Sequence, residues 1–309
     1  MRTTQTTAPR RKQGDGKAKQ AGRKEVAANS DPPTPFASIL CAVDGTRAST
    51  AAVRTAAALA SQGGRLTLLA VTARAGAGAY ATAAISPARA QRVLSRAKAM
   101  AADAGVEAST AIDPEGPPVD VILDRAREHD LLVIGAPATS WLGGLVLGGV
   151  AAAALSQFTT PLLVVRRAFS GRLQGRSILA ASDGQSSSDR VVELAGELGR
   201  SYGAGVTIVH ALGSESASRP RRIQAQAREL QAASTPAVDV YVEPGRAAEV
   251  ILHAAASTKA ALVVLGSRRL RGLRTLGSVS RRVLHEAPCS VLVLPPRQAP
   301  QPKNSSAVS

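Results

Sequence analysis

The chain has 309 residues, 45% of them hydrophobic and only 2% aromatic. Its core must therefore be built from alanine, valine and leucine, and the length allows two ordinary domains. The formal net charge is +16, which invites a polyanionic partner, but scarce aromatics argue against a platform that stacks single-stranded nucleic acid.

Residues 1–34 form the first segment. The first thirty hold eight Lys or Arg against Asp15 and Glu25, a charge of 8 − 2 = +6 with almost no large apolar residue. This composition predicts a disordered basic tail, a solubilising arm rather than a polyanion-binding one. It lacks the apolar stretch of a signal peptide, and a cytoplasmic location is expected. Apolar runs then predict strands at 39–43, 66–71, 107–112, 131–134 and 162–165, with helices at 49–61, 87–104, 118–128 and 150–157. The strands carry no alternation, as in a sheet covered on both faces. In the second half strands are expected at 178–182, 206–210, 238–242, 262–265 and 291–294. The last residues, 296–309, are polar and expected to be loose. The uncharged stretch from Leu131 to Leu155 has the length of a membrane span, but it holds Pro137, Thr139, Ser140 and several glycines. Its counterpart in the second half is rich in arginine, so no span is expected.

The chain repeats itself. "SILCAVDGT" from Ser38 recurs as "SILAASDGQ" from Ser177, "RLTLLAV" from Arg65 as "GVTIVHA" from Gly205, and "EGPPVDVIL" from Glu115 as "PGRAAEVIL" from Pro244. "DLLVIGAPA" from Asp130 is matched by "ALVVLGSRR" from Ala261, in the same order. This is a duplicated domain, 35–166 and 177–295, with a short basic linker at 167–176. Alternating strands and helices predict parallel βαβ units. The fold class is α/β: two tandem, doubly wound, Rossmann-like open sheets of five parallel strands.

Ligands of such sheets bind at the carboxyl ends of the strands, where strand order reverses. Asp44-Gly45 and Asp183-Gly184 follow the first strand of each copy, and Gly135 and Gly266 the fourth. Gly148-Gly149 and Gly277-Ser278 precede a short helix, whose free N–H groups favour an anion. A carboxylate at the other side can accept from a sugar hydroxyl or a base amine. Together these parts describe a nucleotide site; separately, each is also ordinary turn or cap chemistry. No GxxxxGK[ST] loop, no GxGxxG after a strand and no GxSxG elbow occurs. His129, His210, His253 and His285 form no metal-like pair, and His210, closing a strand, is expected to be structural. Cys41 and Cys289 each adjoin an apolar run and are expected to be buried thiols. With no nucleophile and base evident, no catalytic residue is assigned and an enzyme is not expected.

These phrases, above all "LGSVSRRVLHEAPCSVLVL" from Leu276 and the early "VDG" from Val43, resemble the universal stress protein family in its tandem form, over 35–295. The resemblance implies an adenine nucleotide alpha hydrolase-like sheet and, in some members but not others, binding of ATP, with or without magnesium. The family's binding pattern is Gly, two residues, Gly, nine residues, then Gly and Ser or Thr. The first copy keeps Gly135 and Gly148, has Ala138 at the second glycine and Gly149 at the hydroxyl position, and opens its helix with Val150. Asp44 and Val71 match positions at the adenine end. Losing the hydroxyl costs about 0.5–1.5 kcal/mol, and Ala138 about 1 kcal/mol if positive φ is needed there. The second copy keeps Asp183, Gly266, Gly277, Ser278 and Val279, but Arg269 replaces the second glycine and seven residues, not nine, separate it from Gly277. Arg268, Arg269, Arg271 and Arg274 are read either as phosphate partners or as a solvated basic face. In this family domains pair through the edge of the fifth strand, so an intramolecular pseudo-dimer is expected, with pairing of two chains also open. The implied function is a stress-response protein that binds or senses an adenine nucleotide and acts through a protein partner. The alternatives are a nucleotide-free scaffold with decayed sites and, less favoured, a nucleic-acid binder using the tail and arginines.

Overall fold

The structure, a computed structural model, describes residues 34–72, 85–114, 116–136, 149–166, 173, 175–213, 219–267 and 276–296. The tails expected at 1–34 and 296–309, apart from Thr34 and Pro296, lie outside the described residues. So does most of the linker at 167–176. The first copy runs β1 (Ser38–Ala42), α1 (Arg47–Ala60), β2 (Arg65–Val71), α2 (Pro87–Asp103), β3 (Ala108–Asp113), α3 (Pro118–Ala126), β4 (Leu131–Gly135), α4 (Gly149–Gln157) and β5 (Leu162–Val165). The second runs β6 (Ser177–Ala181), a 3-10 turn (Ser186–Ser188), α5 (Asp189–Tyr202), β7 (Gly205–Leu212), α6 (Arg219–Ala232), β8 (Val238–Pro244), α7 (Ala247–Ser257), β9 (Leu262–Gly266), α8 (Ser278–Glu286) and β10 (Ser290–Leu294).

Local chemistry places the boundaries. Thr46 caps α1 by accepting the Ser49 N–H at 3.1 Å. Ser86 caps α2, and Pro87 occupies its first position, where no N–H is needed. Gly203, at φ +66°, ends α5 in the left-handed conformation. The uncharged stretch from Leu131 becomes a strand and then a nine-residue helix, because parallel strands buried on both faces are apolar throughout. No described helix is long and apolar enough to cross a membrane.

All neighbours within a copy are parallel, and the order across the molecule is β3-β2-β1-β4-β5-β10-β9-β6-β7-β8. The two expected five-stranded sheets meet as expected, through the edges of their fifth strands, and together make one sheet of ten. At the seam β5 and β10 pair antiparallel, Val291 opposite Val164, Leu292 opposite Leu163 and Val293 opposite Leu162. Every residue of both strands is buried, so their backbone groups must find partners in protein, and each strand serves as the other's. Helices α1, α2, α5 and α6 pack one face of this sheet and α3, α4, α7 and α8 the other. Each face thus carries one core drawn from both copies.

Polar contacts also cross between the copies. The buried Tyr202 hydroxyl in α5 donates to the Leu59 carbonyl in α1 at 2.6 Å. Arg166, just past β5 and 9% exposed, donates to the carbonyls of Leu284 and His285 at the end of α8. A guanidinium there satisfies orphan carbonyls and complements the helix dipole. Burial lowers its pKa from the ordinary arginine value, and the nearby Cys289 opposes that shift.

Tyr202→Phe leaves a buried carbonyl without its donor. It is expected to lower unfolding stability by about 1–3 kcal/mol, read as a lower urea midpoint at unchanged slope. Burial also pushes the Cys41 thiol well above its ordinary range. The folded chain then keeps a proton that the unfolded chain releases, so stability is intact below the ordinary thiol pKa and falls as pH rises past it. Cys41 should accordingly resist a disulfide reagent at pH 8 until the chain is unfolded; fast labelling of Cys41 in the native protein contradicts this burial.

Candidate functional site

In each copy the chain moves outward from its first strand to the second and third, then returns to place the fourth on the other side of the first. The reversal lies between β1 and β4, and between β6 and β9, and the carboxyl ends of those strands frame a crevice. The register sets Cys41 beside Val133 and Ala180 beside Val264, so Asp44 and Gly135 form one pair of lips and Asp183 and Gly266 the other. Val71 ends β2 on the far flank of β1. Because α4 joins two parallel strands, its first residues, Gly149 and Val150, start at the same end of the sheet as Gly135. Gly277, Ser278 and Val279 hold the matching place at α8. Gly148, Arg268 and Arg269, with Ala138, Arg271 and Arg274, lie outside the described residues.

Both aspartates build their own turn. Asp44 Oδ1 accepts the Thr46 N–H at 2.8 Å, and Asp183 Oδ1 accepts the Gln185 N–H at 2.8 Å. The glycine between has φ +82° at Gly45 and +71° at Gly184, where a side chain would be strained. The copies then diverge. Asp183 Oδ1 also accepts the Ser188 hydroxyl at 3.0 Å, whereas Asp44 is half-buried and its carboxylate has no other partner among the described residues. Val71 is 6% exposed, and its carbonyl accepts the Ile85 N–H at 3.2 Å. It is a wall already covered.

The two strand-end glycines do different work. A Cβ on Gly135 would lie 2.2 Å from the Ala48 carbonyl oxygen, so glycine lets the end of β4 meet the first turn of α1. A Cβ on Gly266 would meet only Val191 Cγ2 at 3.5 Å, an ordinary contact. In the second copy the helix start is tied directly to the strand end, since the Ser280 hydroxyl donates to the Gly266 carbonyl at 3.0 Å. Gly277 precedes α8 with no side-chain cap, and Ser278 and Val279 are exposed. Among the described residues no side chain caps this first turn.

A buried polar cluster beneath the Asp183 turn went unread in the sequence. The Ser182 hydroxyl meets Ser188 Oγ and Gln226 Oε1, both at 2.9 Å. Gln226 Nε2 donates to Asp189 at 2.8 Å. His210 Nδ1 donates to the Ser182 carbonyl at 2.9 Å, leaving its buried Nε2 without a partner among the described residues. The available signal was the repeat itself: His210 stands where the first copy has Ala70. No group of His, Cys, Asp and Glu among the described residues is placed to hold a metal ion.

The chain matches the model of the universal stress protein family twice, over residues 35–166 and 175–295. A curated relative, the universal stress protein in QAH/OAS sulfhydrylase 3'region of Thermus aquaticus, is 35% identical over 136 residues, covering 38% of this chain and 98% of that protein. A universal stress protein of Archaeoglobus fulgidus DSM 4304 has a similar structure, with TM-score 0.70, 21% identity and coverage of 84% of this chain and 98% of the other. A functionally unknown protein of Pseudomonas aeruginosa PAO1 gives TM-score 0.62 at 18% identity, covering 84% and 93%. The last two likenesses are of fold.

The contrast between the glycines is testable without a ligand. Gly135→Ala forces backbone apart and is expected to cost about 1–3 kcal/mol, as overpacking does, while Gly266→Ala stays within about 0.5 kcal/mol of the parent. Equal urea midpoints for the two variants contradict the close approach of β4 to α1.

Proposed function

The chain belongs to the universal stress protein family, and from that premise we propose that it binds an adenine nucleotide, ATP in particular, and acts in a stress response by presenting a nucleotide-dependent surface to a protein partner in the cytoplasm. The observation that carries this reading is the convergence at each switch point of a strand-end carboxylate with the start of a helix, which suits a ligand with a hydroxylated sugar and an anionic tail. In the first copy Asp44 supplies a carboxylate with acceptor capacity to spare for a ribose hydroxyl or the adenine amine, beside the wall of Val71. In the second, the start of α8, which no described side chain caps, and the exposed Ser278 hydroxyl offer donors for phosphate oxygens. Bound ATP would bring its own negative charge, and magnesium would travel with its phosphates. The role assigned to the chain is binding rather than catalysis.

A scaffold that binds no nucleotide is the second reading. What favours it is the aspartate pair: each carboxylate already closes its own turn, and Asp183 also holds Ser188. Calorimetry of the full chain with ATP and magnesium separates the two. The nucleotide reading expects saturable binding that Asp44→Ala weakens about tenfold, the loss of one charge-assisted hydrogen bond. No heat up to millimolar ATP, together with no nucleotide released on denaturing the purified protein, would establish the scaffold instead.

A further inference from the structure

A groove of about 380 Å³ opens at the opposite end of the first copy, over the amino-terminal halves of β1, β2 and β3. Helix α3 covers only one side of this strip. The floor is apolar, from Leu40, Leu69 and Ala111. Three hydroxyls, Ser38, Thr67 and Ser109, lie on three successive strands. Arg65 and Arg125 stand on the margins with Glu128 and His129.

The polar groups are arranged, not scattered. His129 Nδ1 donates to the Arg125 carbonyl at 3.0 Å, and its Nε2 lies 3.3 Å from the Thr67 hydroxyl. Thr67 Oγ1 lies 3.1 Å from Ser109 Oγ, which donates to the Leu66 carbonyl at 3.3 Å. The Ser109 proton is thus spent within the protein, and hydroxyl lone pairs remain for donors on a ligand. Glu128 adds an exposed acceptor. Arg65 is exposed and has no ion-pair partner among the described residues, while Arg125 is shared with Asp113 at 3.1 Å.

The second copy lines the equivalent strip with different residues. The strand registers equate Ala111 with Tyr241, Ser109 with Asp239 and Arg65 with Gly205. Tyr241 stands at the Ala111 position, its hydroxyl donating to Glu243 at 2.5 Å and lying 3.3 Å from His253 Nδ1. A bulky ring replaces a methyl group, an acid replaces a hydroxyl, and the free cation is gone. The duplication therefore supplies its own comparison: the same fold with different bulk and charge along this strip.

We propose that this groove is a second binding site, independent of the nucleotide reading, for a small phosphorylated sugar. The apolar floor suits the C–H face of a sugar ring, the hydroxyl oxygens and Glu128 accept from its hydroxyls, and the exposed Arg65 takes the phosphate. The probe is ribose 5-phosphate, titrated calorimetrically into the full chain, with inorganic phosphate and ribose as separate arms. Ribose 5-phosphate is expected to saturate and to bind at least tenfold more tightly than either part. Ala111→Tyr, which installs the second copy's residue, should weaken it at least tenfold, and Arg65→Gln about fivefold, with ATP titrations unchanged in both. Arg65 is exposed, so its variant keeps the test valid if Ala111→Tyr fails to fold. No saturation up to 10 mM on the order of the weakest metabolite affinities, or binding insensitive to Arg65→Gln, overturns the site.

Discussion

The antiparallel pairing of β5 with β10 is the contact on which the rest of the molecule depends. Each strand is buried on every residue, and a buried strand edge without partners would leave a row of amide and carbonyl groups desolvated, at a cost of a kcal/mol or more apiece. Pairing removes that cost for both copies at once. It also extends each face into one core shared by both copies, with Tyr202 and Arg166 reaching from one copy to the carbonyls of the other. Duplication has turned a contact between two domains into an internal one, held at high effective concentration by the linker.

Both copies keep the turn that an Asp-Gly pair makes after the first strand, since positive φ at Gly45 and Gly184 is a backbone demand. Around that turn they have diverged. The second copy spends Asp183 on Ser188 and lays a polar cluster, Ser182, Gln226 and His210, underneath. The first keeps apolar residues there and leaves Asp44 with spare capacity. Gly135 illustrates how a motif residue can have a packing reason: it admits the backbone of α1, a need that Gly266 does not share. A glycine retained at a motif position is thus not by itself evidence of a ligand.

The same divergence acts at the other end of the sheet, where Ala111 and Tyr241 occupy one register position. At that position one copy carries a methyl group and the other a ring. The two copies hold one fold while differing in which of their surfaces are bulky, polar or charged.

Much of the fold was legible in the chain itself. Uninterrupted apolar runs such as those ending in Val165 and Leu294 declare doubly covered strands, helical periods between them declare βαβ units, and the repeated order of phrases declares two copies. Asp44, Gly135, Asp183 and Gly266 could be placed at strand ends because a turn residue after an apolar run marks its end. Short-range chemistry settles these features, so local sequence suffices. What side chains meet across the sheet is set by register and by helices distant in the chain, and no local pattern encodes it. The meeting of the copies at their fifth strands was expected from the resemblance, but the reach of Arg166 to α8, the cluster around Ser182 and the groove between Arg65 and His129 were decided only when the strands were brought together.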